Sequence, residues 1–366
     1  MGRRRSKTPT RNSNRTKTVT KGNGMTESIR TMLRPYAESE AGPRFFDVYR
    51  TPILDYFFKY FPFLGNEIQY VLLLPFAAWI LDPSNLQRLT LRICTRWFLS
   101  VLAANTLKDI LCLERCGPVS KRLTHDVDDQ FGFPSTHSAA AISVSIPLFA
   151  FLYVDEIDCD ERVWLGSFAY TIIVATSRLY LGVHSVADTL GGILIGLLSV
   201  TICDYFVDDL ASVVANSENT MIVMACALVF TFVVTKIYPD ARVNNTCYLE
   251  VLAVCGLLLG GLIAETTLSN VTPCYVTQNR PGAIMISGLL VLYFFRYVIK
   301  ALSMFMARNF SVDASFLYVF EHAAMGAFVI AAPTTVQKYW LRCGNKVCKL
   351  SPVKIRYIPH AENNSK

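Results

Sequence analysis

Long apolar runs recur along the chain, at about 66–81, 91–112, 137–154, 163–177, 187–206, 219–237, 248–264, 282–300 and 314–334. Each approaches the ~20 residues that a helix needs to cross hydrocarbon. A backbone in lipid must satisfy its own polar groups, so such runs leave few folds open. They predict an all-α polytopic membrane protein, a transmembrane helix bundle of about nine spans, with eight or ten within the tolerance of the shorter runs. Composition agrees. Of the residues, 52% are apolar and 17% charged, against roughly 25% charged in a soluble chain. A soluble chain of 366 residues would often hold two domains. The runs instead define one membrane domain over 43–335, between a basic tail at 1–42 and a second basic tail at 336–366.

The first tail is rich in Lys, Arg, Ser and Thr and contains no apolar run. It is expected to be disordered and attracted to anionic headgroups. The net charge of +7 comes mostly from this tail, so it implies no nucleic-acid partner. Residues 52–65 are aromatic but too short to span, which fits an interfacial helix. Arg92 and Arg96, near the start of the second run, read as snorkelling side chains. The eleven cysteines are scattered without zinc-site spacing. Gly191, Gly192, Gly196, Gly256, Gly260 and Gly261 suit close helix packing.

Chemistry concentrates where the runs end. In 177–188, Arg178, His184 and Asp188 stand between two apolar segments. His184 and Asp188 are four apart, so on a helix they share a face, and a carboxylate there can hold one ring nitrogen and leave the other reactive. Arg178 could grip a phosphate with its planar fork. Alone, this stretch is equally an ion pair on a transport pathway. Upstream, Lys108 and Arg115 are seven apart, about two helical turns or ~10 Å of rise, and would project from one face. Phe133-Pro134-Ser135-Thr136-His137 is a helix-start signal, whose amides favour an anion and whose Ser135 adds a hydroxyl. Together these supply three cations for a phosphate and two histidines for a nucleophile and a general acid. No carboxylate cluster for Mg²⁺ is present, so this inventory calls for no metal and no cofactor.

Lys108-x6-Arg115, Pro134-Ser135-Thr136-His137 and Ser177-Arg178-x5-His184-x3-Asp188 resemble, in order and direction, the three signature motifs of the type-2 phosphatidic acid phosphatase (PAP2) superfamily. Within it the chain resembles the sphingosine-1-phosphate phosphatase branch. Thr136 between Ser135 and His137, Leu64-Gly65-Asn66-Glu67, Pro75-Phe76 and Asp82-Pro83 carry that likeness, which covers about 50–335. The resemblance implies a metal-independent phosphatase of long-chain base phosphates. In it His184 is the nucleophile, Asp188 orients it, and His137 is the acid and then the base, while Lys108, Arg115, Ser135 and Arg178 bind phosphate. It implies a multi-pass protein of the endoplasmic reticulum with a luminal site, and it leaves the oligomeric state open, a homodimer included. Broader lipid phosphates, isoprenoid diphosphates, or lipid transport without catalysis are the alternatives. The first motif departs from the family pattern, because Cys116-Gly117 separates Arg115 from Pro118 where Arg-Pro is usual. That insertion is expected to loosen the backbone after Arg115.

Overall fold

The computed structural model describes residues 24–60, 83–118, 122–124, 130–153, 161–215, 217–239, 246–268, 281–310 and 314–343. The run at 66–81, the likeness at 64–67, 75–76 and 82, and residues 344–366 lie outside them. Regular structure among the described residues is helical. Three short helices come first, α1 (Gly24–Ala37), α2 (Ala41–Asp47) and α3 (Pro52–Tyr60). Then follow α4 (Pro83–Leu111), α5 (Thr136–Tyr153), α6 (Glu161–Tyr180), α7 (Val186–Ala215), α8 (Thr220–Ile237), α9 (Thr246–Leu268), α10 (Pro281–Asn309) and α11 (Ala314–Cys343).

Helix α5 packs against α4, α6 and α7, while α9 packs against α4, α8 and α11. Two sets of side chains fill these seams. Trp97, Phe98 and Val101 of α4 meet Ala140 and Val144 of α5, Val251 and Val254 of α9, and Met325 of α11. Ile142, Ile146 and Ala150 on the other side of α5 meet Val163 of α6 and Val200 of α7. The glycines set how close the helices come. A Cβ on Gly192 would strike the Ser135 carbonyl, and one on Gly196 would strike Ala139 and Ile142. Helix α7 therefore lies backbone to backbone on α5, the packing role expected of these residues.

Three expectations are corrected. Among the described residues, two helical stretches, Val186–Val207 and Thr246–Ala264, are long and apolar enough to cross a membrane, whereas Thr136–Ala150 and Met221–Ile237 are too short. The bundle of about nine spans is not what these helices form. Charge is one reason: α4 carries Arg92, Arg96, Lys108 and Asp109, and α10 carries Arg296, Lys300 and Arg308. The multi-pass placement in the endoplasmic reticulum with a luminal site, which the resemblance implied, is overturned as well, because two such helices among the described residues do not make the multi-pass architecture it requires. Second, Arg96 does not snorkel. It is 3% exposed and forms an ion pair with Asp204 of α7. Third, the stretch 1–42 is not structureless throughout, because α1 lies in it. Arg30 of α1 is buried and donates from Nε to the Leu111 carbonyl at 2.8 Å and from Nη2 to the Ile110 carbonyl at 2.7 Å. These are orphan acceptors at the C-terminal end of α4, where a cation also complements the helix dipole.

Candidate active site

The start of α7 fixes the orientation of His184. Ser185 precedes the helix, and its backbone N–H donates to Asp188 Oδ2 at 2.8 Å, while the Asp188 N–H donates to Ser185 Oγ at 3.1 Å. This reciprocal pair is a capping box with Asp in the third helical position. The same Oδ2 faces His184 Nδ1 at 3.2 Å. His184 itself precedes the helix. It meets Asp188 through the cap, and the shared helix face expected from the spacing of four is replaced by that geometry.

The other ring nitrogen faces Arg115, whose Nη1 lies 2.9 Å from His184 Nε2 and donates to the Val183 carbonyl at 2.8 Å. A guanidinium has no acceptor, so Nε2 must receive and cannot carry the proton. The imidazole is therefore the Nδ1–H tautomer. Its proton points to Asp188 and its Nε2 lone pair points into the cluster of cations. Burial, then the positive charges of Arg115, Lys108 and Arg178 and the neighbouring His137, hold His184 well below the usual histidine range. It is neutral at pH 7.

The remaining residues converge from three elements. Arg178 is buried in the last turn of α6. Leu181 N–H and Val183 N–H donate back to the Ser177 and Arg178 carbonyls at 2.9 and 3.2 Å, and Gly182 takes the left-handed φ of 72° that this reversal requires. The chain is thereby turned from Arg178 to His184. Ser135 caps α5, and its N–H donates to the Asp188 carbonyl at 2.9 Å, which ties the two helix starts together. His137 sits in the first turn of α5, partly open to the surface. The surrounding protein, then Arg178, Lys108 and Arg115, hold it well below the usual histidine range. Lys108 is 1% exposed and donates from Nζ to Thr136 Oγ1 at 2.6 Å. Arg115 stays charged, since burial lowers it only to about 10 against the attraction of Asp188.

Lys108 and Arg115 do not share a helix face. Helix α4 ends at Leu111, Cys112 turns with a φ of 49°, and Arg115 lies on the loop beyond. Nor is the Cys116-Gly117 insertion loose. Cys116 is fully buried, and Arg122 Nη2 donates to the Gly117 carbonyl at 3.3 Å.

Sequence reasoning missed a layer behind the cations. Arg115 donates from Nη2 to Gln130 Oε1 at 3.2 Å, and Gln130 donates from Nε2 to Glu250 Oε1 at 2.9 Å. On the other side, Thr136 Oγ1 donates to Asn105 Oδ1 at 2.7 Å, and Asn105 donates from Nδ2 to Glu250 Oε2 at 2.8 Å. Thr136 lies within a recognised motif and Asn105 three residues before Lys108 on α4, but neither was read as a link to Glu250. Among the described residues no three His, Cys, Asp or Glu side chains are grouped to hold a metal ion.

The PAP2 superfamily model matches residues 89–212, which include all seven candidate residues. The chain is similar to mouse sphingosine-1-phosphate phosphatase 2, with 29% identity over 277 residues, 73% of this chain and 75% of the relative. It is similar to human sphingosine-1-phosphate phosphatase 2, with 29% identity over 213 residues, 56% of this chain and 51% of the relative. A shorter stretch of 90 residues is 37% identical to phosphatidylglycerophosphatase B of Bacillus subtilis, covering 24% of this chain and 43% of that protein. The chain thus spans three quarters of the mouse relative and about half of the human one. No solved structure matches it.

Proposed function

Since this chain belongs to the PAP2 superfamily, in its sphingosine-1-phosphate-phosphatase-like branch, we propose that it hydrolyses long-chain base phosphates such as sphingosine 1-phosphate and dihydrosphingosine 1-phosphate through a phosphohistidine. The phosphatase domain is taken as 43–335. The observation that carries the proposal is His184, held by Asp188 at Nδ1 and presenting Nε2 to a buried guanidinium 2.9 Å away. A phosphoryl group entering between them would meet the lone pair on one side and donors on the other.

In the first step Nε2 attacks phosphorus and the bond from phosphorus to the lipid oxygen breaks. Asp188 stabilises the positive charge that the ring acquires, and His137 gives its proton to the departing alkoxide. In the second step His137 takes a proton from water, the hydroxide attacks phosphorus, and the bond to Nε2 breaks. Lys108, Arg115, Arg178 and Ser135 hold the non-bridging oxygens and stabilise the charge of both transition states. His137 must be protonated for the first step, although burial and then the cations hold it low. A bound phosphate dianion reverses the local field and restores the proton. The donors are cationic, which suits phosphate oxygens without a bridging metal ion.

The relative from Bacillus subtilis favours a second reading, a broader lipid phosphate specificity, because the phosphate ligands do not choose the tail. Phosphate release from sphingosine 1-phosphate, phosphatidate and an isoprenoid diphosphate, measured side by side in EDTA, separates the two. Turnover at least tenfold faster on the long-chain base phosphate is expected. Preference for phosphatidate, or activity that disappears with EDTA, would overturn the corresponding part of the proposal.

A further inference from the structure

Two of the site's three buried cations, Lys108 and Arg115, end on one carboxylate. Glu250 lies in the second turn of α9, outside the stretch matched to the superfamily. Its Oε1 accepts from Gln130, whose Oε1 and backbone carbonyl both accept from Arg115, at 3.2 Å each. Its Oε2 accepts from Asn105, whose Oδ1 accepts from Thr136, whose hydroxyl accepts from Lys108. Each relay runs in one direction. The Thr136 hydroxyl has one proton and gives it to Asn105, so Asn105 must turn its amide nitrogen toward Glu250. Gln130 must turn its oxygen to Arg115, which leaves its nitrogen for Glu250. A group at 250 that accepts on both sides is needed, and a carboxylate meets this need where an amide meets half of it.

We infer that Glu250 is a positioning residue that sets the spacing of Lys108 and Arg115, and hence the shape of the phosphate pocket, through the two relays Asn105–Thr136 and Gln130. This rests on the phosphatase reading for the identity of the anion. The geometry concerns the two cations whatever reaction they serve. Helix α9 packs on α4 and α11, so the pocket is anchored to the half of the chain that follows the superfamily match.

The test is orthovanadate binding to the purified full-length chain, with thermal unfolding as the control for folding. Glu250→Gln keeps the shape of the side chain but sets one amide donor against another, so it breaks one relay. It is expected to weaken vanadate binding about tenfold. The exchange Glu250→Gln with Gln130→Glu restores every bond. The new amide at 250 accepts from Asn105 and donates to the new carboxylate at 130, whose second oxygen accepts from Arg115. Binding within about threefold of wild type is expected for this pair. Wild-type affinity in Glu250→Gln, or a double variant that folds and binds no better than the single one, would overturn the inference. Should Glu250→Gln fail to fold, Gln130→Met cuts the Arg115 relay alone, with the same tenfold loss expected and wild-type affinity the contrary result. Vanadate binding that depends on Glu250, in a protein that releases no phosphate, would sink the phosphatase reading and leave the positioning role standing.

Discussion

At the scale of the residue, one carboxylate oxygen does two things. Asp188 Oδ2 closes the helix cap with Ser185 and orients His184. Stability and reactivity therefore depend on the same atom. The buried imidazole has a further consequence. His184 and His137 are both held below the usual histidine value in the fold, whereas in the unfolded chain they titrate near 6.5. Below that pH the unfolded chain binds more protons than the folded one, so stability falls as pH drops from about 6.5 toward the folded-state values, and is intact above it. The unfolding midpoint should decline between pH 7.5 and 5.5, and His184→Asn should flatten that decline. An equal slope in both proteins would show that His184 is not held neutral by the fold.

At the scale of the element, the site depends on how closely two helix starts can meet. Gly192→Ala puts a methyl group against the Ser135 carbonyl. It should cost about 1–3 kcal/mol and lower phosphate release at least tenfold, because it pushes Asp188 away from Ser135. Gly261→Ala meets nothing within 4 Å and should be neutral, or stabilising by up to about 1 kcal/mol. Thermal unfolding and turnover of the two variants check this contrast. The seven candidate residues could be read from the sequence because they fall in three short motifs, each with a local spacing. Ser185-x-x-Asp188 was also there to be read as a cap. Gln130 and Glu250 were not legible. They are 120 residues apart in the chain and carry no local pattern, and only the packing of α9 on α4 brings them together.

At the scale of the whole molecule, hydropathy misjudged the architecture for a physical reason. An apolar run looks the same whether lipid or protein covers it. The runs of α4 and α10 contain charges, and in α4 protein meets them: Arg96 pairs with Asp204, Lys108 donates to Thr136, and Asp109 accepts from Tyr238. Even so, α7 leaves Leu190, Leu194, Leu198, Ile202 and Tyr205 exposed along its outer side, on one of the two helices long enough to cross a bilayer. The candidate site does not depend on that count, because its residues lie at the ends of α4 and α6 and the starts of α5 and α7. The proposed mechanism turns on a covalent bond between phosphorus and His184. The most direct measurement is a single turnover with long-chain base phosphate labelled on phosphorus, quenched in alkali. Label on the wild-type chain that is stable to alkali and lost in acid is expected, and none on His184→Ala, which also releases no phosphate. Label retained on His184→Ala, or phosphate released by it at the wild-type rate, would contradict a phosphohistidine at His184.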